Sequence, residues 1–125
     1  MMQPTVLIID DDPAVRNSLK FALEVEGFAV RAYPGGTELL SEAHIPDNGC
    51  LVVDYKLPEM NGLDLLSELR RRKIDLPAIL ITTHPNSAVR HRAAQAGVPL
   101  IEKPLLNDTL FQGIRAALGG FAPRH

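Results

Sequence analysis

Tryptophan is missing from this chain, and cysteine occurs once, at Cys50. A single thiol excludes an internal disulfide, and Cys50, just before an apolar run, reads as a small buried hydrophobe. No apolar stretch comes near the roughly 18 residues that a membrane-spanning helix needs. The N-terminus lacks a basic segment leading into a hydrophobic region, so no secretory leader is expected. Neither sign of charge dominates: the net charge is −2 at pH 7, which gives no reason to expect nucleic-acid binding by this chain. No His/Cys spacing suits zinc, and neither repeats nor low-complexity segments occur. A cytoplasmic protein with no membrane contact is the expectation.

The chain has 125 residues, enough for one domain with one core and not for two. Its one basic cluster, Arg70-Arg71-Arg72-Lys73, follows the apolar stretch Leu63–Leu69. There it would complement a helix C-terminus, a solvated cap and not a phosphate-binding patch.

Strand-like and helix-like segments alternate five times. Val6–Ile9 is a continuous apolar run, as a strand buried on both faces should be. Asp12 is placed to cap a helix with Pro13 at its first position, and Gly27 to end it. Residues 28–33 alternate as a more exposed strand, and Pro34-Gly35-Gly36 precedes a short helix expected from Thr37 to about His44. Cys50–Val53 forms the third strand, and a turn-rich loop from Tyr55 to Gly62 leads into a helix marked by Leu63, Leu66 and Leu69. Pro77 opens a fourth strand. A helix poor in large apolar residues is expected from Ser87 to Ala96, with a fifth strand over 100–103. The last helix, capped by Asn107 or Asp108, is stopped by Gly119-Gly120. Strands joined by helices of this length imply right-handed βαβ units and a parallel sheet between helix layers. The predicted fold is α/β, a flavodoxin-like (βα)5 sandwich of strand order 2-1-3-4-5.

Five residues acquire meaning in that fold: Asp10 and Asp11, Asp54, Thr82 and Lys103, each at the end of an apolar run. The C-terminal ends of parallel strands share one edge, and ligands bind in the crevice there. Three carboxylates brought together raise one another's energy unless a cation joins them. Hard oxygen ligands suit Mg²⁺, which commonly bridges carboxylates to a phosphate. Asp54 could act as a carboxylate nucleophile and form an acyl phosphate. Lys103 and the Thr82 hydroxyl could then reach phosphoryl oxygens, and the backbone N–H groups after Asp54 and Thr82 would complete a cradle. Taken alone, a run such as Asp10–Asp12 is more often an N-cap than a metal site, and Asp12 reads as the cap.

Four segments carry a resemblance: Ile8-Ile9-Asp10-Asp11-Asp12-Pro13, Val53-Asp54-Tyr55-Lys56-Leu57-Pro58-Glu59-Met60-Asn61-Gly62, Ile81-Thr82 and Glu102-Lys103-Pro104. Through them the chain resembles the receiver domains of bacterial two-component response regulators, most nearly the nitrogen-fixation and LuxR-type subfamily. The resemblance assigns residues 1–120 to the receiver and 121–125 to a tail. It implies that Asp54 takes a phosphoryl group from a histidine kinase or phosphotransfer protein. It also implies that Asp10, Asp11, Asp54 and the Lys56 carbonyl hold Mg²⁺. Thr82 would be the switch hydroxyl and Lys103 the lysine of such domains, with Lys56 and Thr83 beside the phosphoryl group and Lys103–Pro104 a cis bond. The outcome would be a change of partner or of self-association, homodimerisation included, in a protein that catalyses only its own phosphorylation and dephosphorylation.

Three departures stand out. Leu100 occupies a position where receivers carry an aromatic, Thr83 stands where a small residue is usual, and Gly97-Val98-Pro99 is one residue short. Two other readings compete: a phosphorylation-independent docking module, and a Mg²⁺-dependent phosphohydrolase using Asp54. The docking modules lose acidic residues or the lysine, which this chain keeps. Haloacid-dehalogenase-type hydrolases place a second Asp two residues after the nucleophile, where this chain has Lys56. A flavodoxin is disfavoured because three aspartates would repel a flavin phosphate. No helix-turn-helix follows the last helix, so a stand-alone receiver is the expectation.

Overall fold

The computed structural model describes residues 4–103 and 109–119. Ten elements alternate along it: β1 (Thr5–Ile9), α1 (Pro13–Val25), β2 (Ala29–Tyr33), α2 (Gly36–Leu40), β3 (Gly49–Asp54), α3 (Gly62–Arg71), β4 (Ala78–Thr82), α4 (Ser87–Gln95), β5 (Leu100–Glu102) and α5 (Thr109–Ala117). The strands form one parallel sheet in the order β2-β1-β3-β4-β5, as the alternation predicts. Among the described residues no helix is long and apolar enough to cross a membrane.

Strand side chains alternate between two cores, because successive Cβ atoms point to opposite faces. Leu7, Ile9, Leu51, Val53 and Leu80 pack with Leu39 of α2, four leucines of α3, and Val89 and Ala93 of α4. Val6, Ile8, Val52, Ile79 and Ile81 pack instead with Leu19 and Leu23 of α1 and with Leu110 and Ile114 of α5. Helices thus cover both faces, which is why β1, β3 and β4 read as unbroken apolar runs. Cys50 is buried among them, and burial pushes its thiol up to about 12, so it is an inert core group.

Asp12 caps α1 by accepting from the Ala14 N–H at 2.9 Å, and Gly27 leaves the helix at φ +96°. Arg70 and Arg71 lie in the last turn of α3 with Arg72 as its C-cap, and the Arg70 guanidinium donates to the Ile74 carbonyl. The basic cluster is a helix cap. One helix departs from expectation. α2 stops at Leu40 instead of reaching His44: the Glu42 N–H turns to the Leu39 carbonyl, three residues back, and no apolar anchor follows until Ile45. The expected Asn107 or Asp108 cap, the Lys103–Pro104 bond and the 121–125 tail lie outside the described residues.

The start of α3 sits hard against the end of β3. A Cβ on Gly62 would lie 2.6 Å from the Asp54 carbonyl oxygen and 2.9 Å from both Leu80 Cδ1 and Val53 Cγ1. Backbone and core cannot yield there, so Gly62→Ala is expected to cost about 1–3 kcal/mol, the range for overpacking. Urea unfolding of the two proteins measures it; equal midpoints would mean that the helix start shifts freely.

Candidate functional site

Strand geometry sets the acidic cluster. β1 and β3 are neighbours in register, with Ile9 opposite Val53, so the next residues, Asp10 just past β1 and Asp54 at the end of β3, emerge side by side. Asp10 is fully buried and Asp54 nearly so, at 5% exposure, whereas Asp11 faces solvent. One carboxylate oxygen from each of Asp10, Asp11 and Asp54 can be chosen so that all three lie within 4.8 Å of one another.

Asp10 is fixed from three directions. Its Oδ1 accepts from the Asp12 N–H at 2.9 Å, its own N–H donates to the Tyr33 carbonyl at 3.1 Å, and its carbonyl accepts from Arg16 Nη1 at 2.9 Å. Its Oδ2 faces Lys103 Nζ at 3.1 Å, an ion pair without hydrogen-bond alignment, and has no other partner among the described residues. Asp54 Oδ1 accepts from the Lys56 N–H at 3.3 Å, and Oδ2 accepts from Lys103 Nζ at 3.2 Å. The Tyr55 N–H is taken by the Ile81 carbonyl, so Lys56 supplies the first N–H after Asp54 that turns toward its carboxylate. Lys103 comes from the far side: its N–H donates to the Thr82 carbonyl at 2.7 Å, which ties the end of β5 to that of β4.

The charges do not balance. Burial pushes the Asp54 carboxyl up and the neighbouring Asp10 charge pushes it further, while Lys103 and the Lys56 N–H pull the other way and lose. Burial alone would lower the Lys103 ammonium, but Asp10 and Asp54 together more than offset it and its pKa is raised. Three carboxylates against one ammonium leave a site that attracts a cation. Among the described residues, that buried Asp10 oxygen has only the Lys103 ammonium beside it, which leaves it able to accept a cation. The all-oxygen donor set fits Mg²⁺ and suits no soft metal.

The sequence-derived residues therefore divide. Asp10, Asp11, Asp54 and Lys103 are brought into direct contact or ligating distance. Thr82 is buried at the end of β4, beside β3. Lys56 and Thr83, just past the site strands along the chain, are exposed, and His84 and His91 face solvent. Sequence reasoning missed Arg16, whose spacing suggests a pairing with Asp12 one turn back; its guanidinium instead reaches the Asp10 carbonyl.

Known proteins resemble this chain in sequence and fold. Residues 6–115 match the response regulator receiver domain. The chain is 39% identical over 118 residues to the transcriptional regulatory protein FixJ of Rhizobium meliloti, covering 94% of this chain and 58% of FixJ. It is 34% identical over 117 residues to the C4-dicarboxylate transport transcriptional regulatory protein DctD of Pseudomonas aeruginosa, covering 93% of this chain and 25% of DctD. It thus spans little more than half of the one relative and a quarter of the other. The crystal structure of FixJ-N superposes with a TM-score of 0.84 at 37% identity, covering 99% of this chain and all of that one. A CheY-like receiver domain protein from Methanospirillum hungatei gives 0.84 at 28% identity, covering 94% and 95%. An acidic strand-end cluster, a lysine across from it, a 2-1-3-4-5 sheet and a match along nearly the whole chain agree: this chain belongs to the response regulator receiver domains of two-component systems.

Proposed function

We propose that Asp54 is the phosphoacceptor and that the domain is switched by its phosphorylation, with a histidine kinase or phosphotransfer protein in the cytoplasm as donor. The observation that carries this reading is the Lys103 ammonium set between Asp10 and Asp54, at 3.1 and 3.2 Å, beside the three-carboxylate cluster. In the transfer, an Asp54 carboxylate oxygen forms the new O–P bond while the donor–phosphorus bond breaks and its electron pair leaves with the donor. Phosphoryl transfer asks for alignment and charge neutralisation more than for covalent help. Lys103 follows the charge from the carboxylate to the phosphoryl oxygens, Thr82 donates its hydroxyl, and the Lys56 and Thr83 N–H groups take the remaining oxygens. Asp10, Asp11, Asp54 and the Lys56 carbonyl would hold Mg²⁺, which supplies neutralisation of the phosphoryl charge when bound. The domain so read is no enzyme toward other substrates; it promotes only its own phosphorylation and dephosphorylation. Intact mass after treatment with a small phosphodonor and Mg²⁺ tests the reading, with gain of one phosphoryl group expected.

The switch must then reach a surface. α4 buries only Val89 and Ala93, and its pairs Arg90–Glu102 and Arg92–Asp64 are exposed and contribute little. Leu100 is half-buried against the same core, with no ring or hydroxyl to exchange partners. The response is therefore concentrated in the weakly anchored segment 83–96. Hydrogen exchange with and without a phosphoryl mimic should show altered protection there and little change at Leu100. A change centred on Leu100 and α5 would overturn this.

A further inference from the structure

The loop after Asp54 holds a strained turn that the phosphotransfer reading does not use. Glu59 has φ +70°, and the Met60 N–H donates to the Pro58 carbonyl at 2.8 Å. An i+2 to i hydrogen bond about a positive-φ residue is a γ-turn of the rare, strained kind. A non-glycine residue stays in such a conformation only where its surroundings hold it.

The holding groups come from the start of α2, some twenty residues away in sequence. The Thr37 hydroxyl donates to Glu59 Oε2 at 2.7 Å, the length of a charge-assisted bond. Met60 and Pro58, on either side of Glu59, lie over Gly36 and Gly35. A Cβ on Gly36 would meet Met60 Sδ at 2.8 Å, and one on Gly35 would meet Pro58 Cδ at 3.6 Å. The turn thus lies directly over the start of α2, closest at Gly36, where any side chain would press on Met60.

The inner end of the same loop is tied to the site. Lys56 bridges Asn61, the Gly62 N–H donates to the Tyr55 carbonyl at 2.7 Å, and the Lys56 N–H rests on Asp54 Oδ1. Between two fixed ends the six residues 56–61 have little freedom, so the outer tie helps set the plane of the Lys56 peptide. We infer that Thr37 and Glu59 form a latch that positions the Lys56 peptide for the cation and the phosphoryl group. Both are positioning residues: they touch neither ligand. The inference rests on the reading of Asp10, Asp11 and Asp54 as the Mg²⁺ site.

Thr37 and Glu59 are exposed, so the latch adds little to global stability, and that separates it from a structural role. Thr37→Val keeps the shape and deletes the donor; Thr37→Ser keeps the donor. Mg²⁺ binding can be followed by tyrosine fluorescence, because the chain has no tryptophan and Tyr55 adjoins Asp54. Thr37→Val is expected to weaken Mg²⁺ about tenfold, the low end for residues that orient ligands. It should also speed amide exchange over 56–61 in metal-free protein, leave the urea midpoint unchanged, and be rescued on both counts by Thr37→Ser. Wild-type Mg²⁺ affinity in Thr37→Val would overturn the latch, as would a loss that follows global stability and is not rescued by serine. The cation and exchange measurements involve no phosphoryl transfer. An Asp54 that gains no phosphoryl mass would sink the phosphoacceptor reading alone, while these variants still decide the latch.

Discussion

Asp54→Asn is expected to abolish phosphoryl mass gain and, in metal-free protein at neutral pH, to make the fold more stable. The first effect follows because an amide cannot form the acyl phosphate. The second follows from the sign of the shift at Asp54. Its folded pKa lies above the unfolded value of 3.8, chiefly through burial and then through Asp10. The folded state therefore binds that proton more readily, and stability falls as pH rises from 3.8 through the folded pKa. The penalty is therefore larger at neutral pH than in acid, and none of it remains well below 3.8. Asparagine removes it, while Lys103 keeps Asp10 as partner at 3.1 Å. Replacing a buried charge by a neutral group of the same shape is worth about 1 kcal/mol here, the low end of the range for buried ion pairs. Urea unfolding in a chelator at pH 7 and near pH 3.5 reads the difference, which should shrink toward zero in acid. Lys103 acts in the opposite sense and elsewhere. Its raised pKa contributes stability that is complete below 10.5 and is lost only as pH rises through the folded value, so it does not disturb the comparison. Equal labelling of the variant would sink the phosphoacceptor assignment; an Asn variant less stable at pH 7 would mean that the Lys103 pair outweighs burial.

Strands buried on both faces announce themselves as unbroken apolar runs, and β1, β3 and β4 are legible for that reason. A charged residue ending such a run has few innocent explanations, because an uncompensated buried carboxylate is costly. That made Asp10, Asp54 and Lys103 readable together. The length of α2 was not readable, since its last carbonyl, at Leu40, accepts from Arg72 at the far end of α3 and the Glu42 N–H turns back to Leu39. Arg16 and the Thr37–Glu59 pair were illegible for a different reason. Their partners are chosen by how helices are set on the sheet, and side-chain spacing along one element carries no trace of that. The Pro58-Glu59-Met60-Asn61-Gly62 stretch does signal a turn, yet glutamate is a poor marker of positive φ, so the strain at Glu59 is visible only in the backbone.

Within the acidic run itself, three neighbouring aspartates are expected to give three different phenotypes. Asp11 is exposed and makes no side-chain hydrogen bond or ion pair among the described residues, so Asp11→Ala should leave metal-free stability unchanged while weakening Mg²⁺ more than about a hundredfold, beyond the usual effect of an outer ligand. Asp12 caps α1 through the Ala14 N–H, so Asp12→Ala should cost about 1 kcal/mol and leave Mg²⁺ affinity nearly unchanged. Asp10 carries both burdens. It is fully buried, accepts from the Asp12 N–H and pairs with Lys103, so Asp10→Ala should lose stability and cation affinity together. Thermal unfolding across a Mg²⁺ titration separates them. Wild type should gain about 2.7 kcal/mol at a hundred times its dissociation constant. Asp12→Ala should start lower and gain the same increment, whereas Asp11→Ala should start level with wild type and gain almost nothing at that concentration. If Asp12→Ala lost the increment and Asp11→Ala kept it, the two residues would have exchanged roles, and the exposed carboxylate would have to be removed from the site.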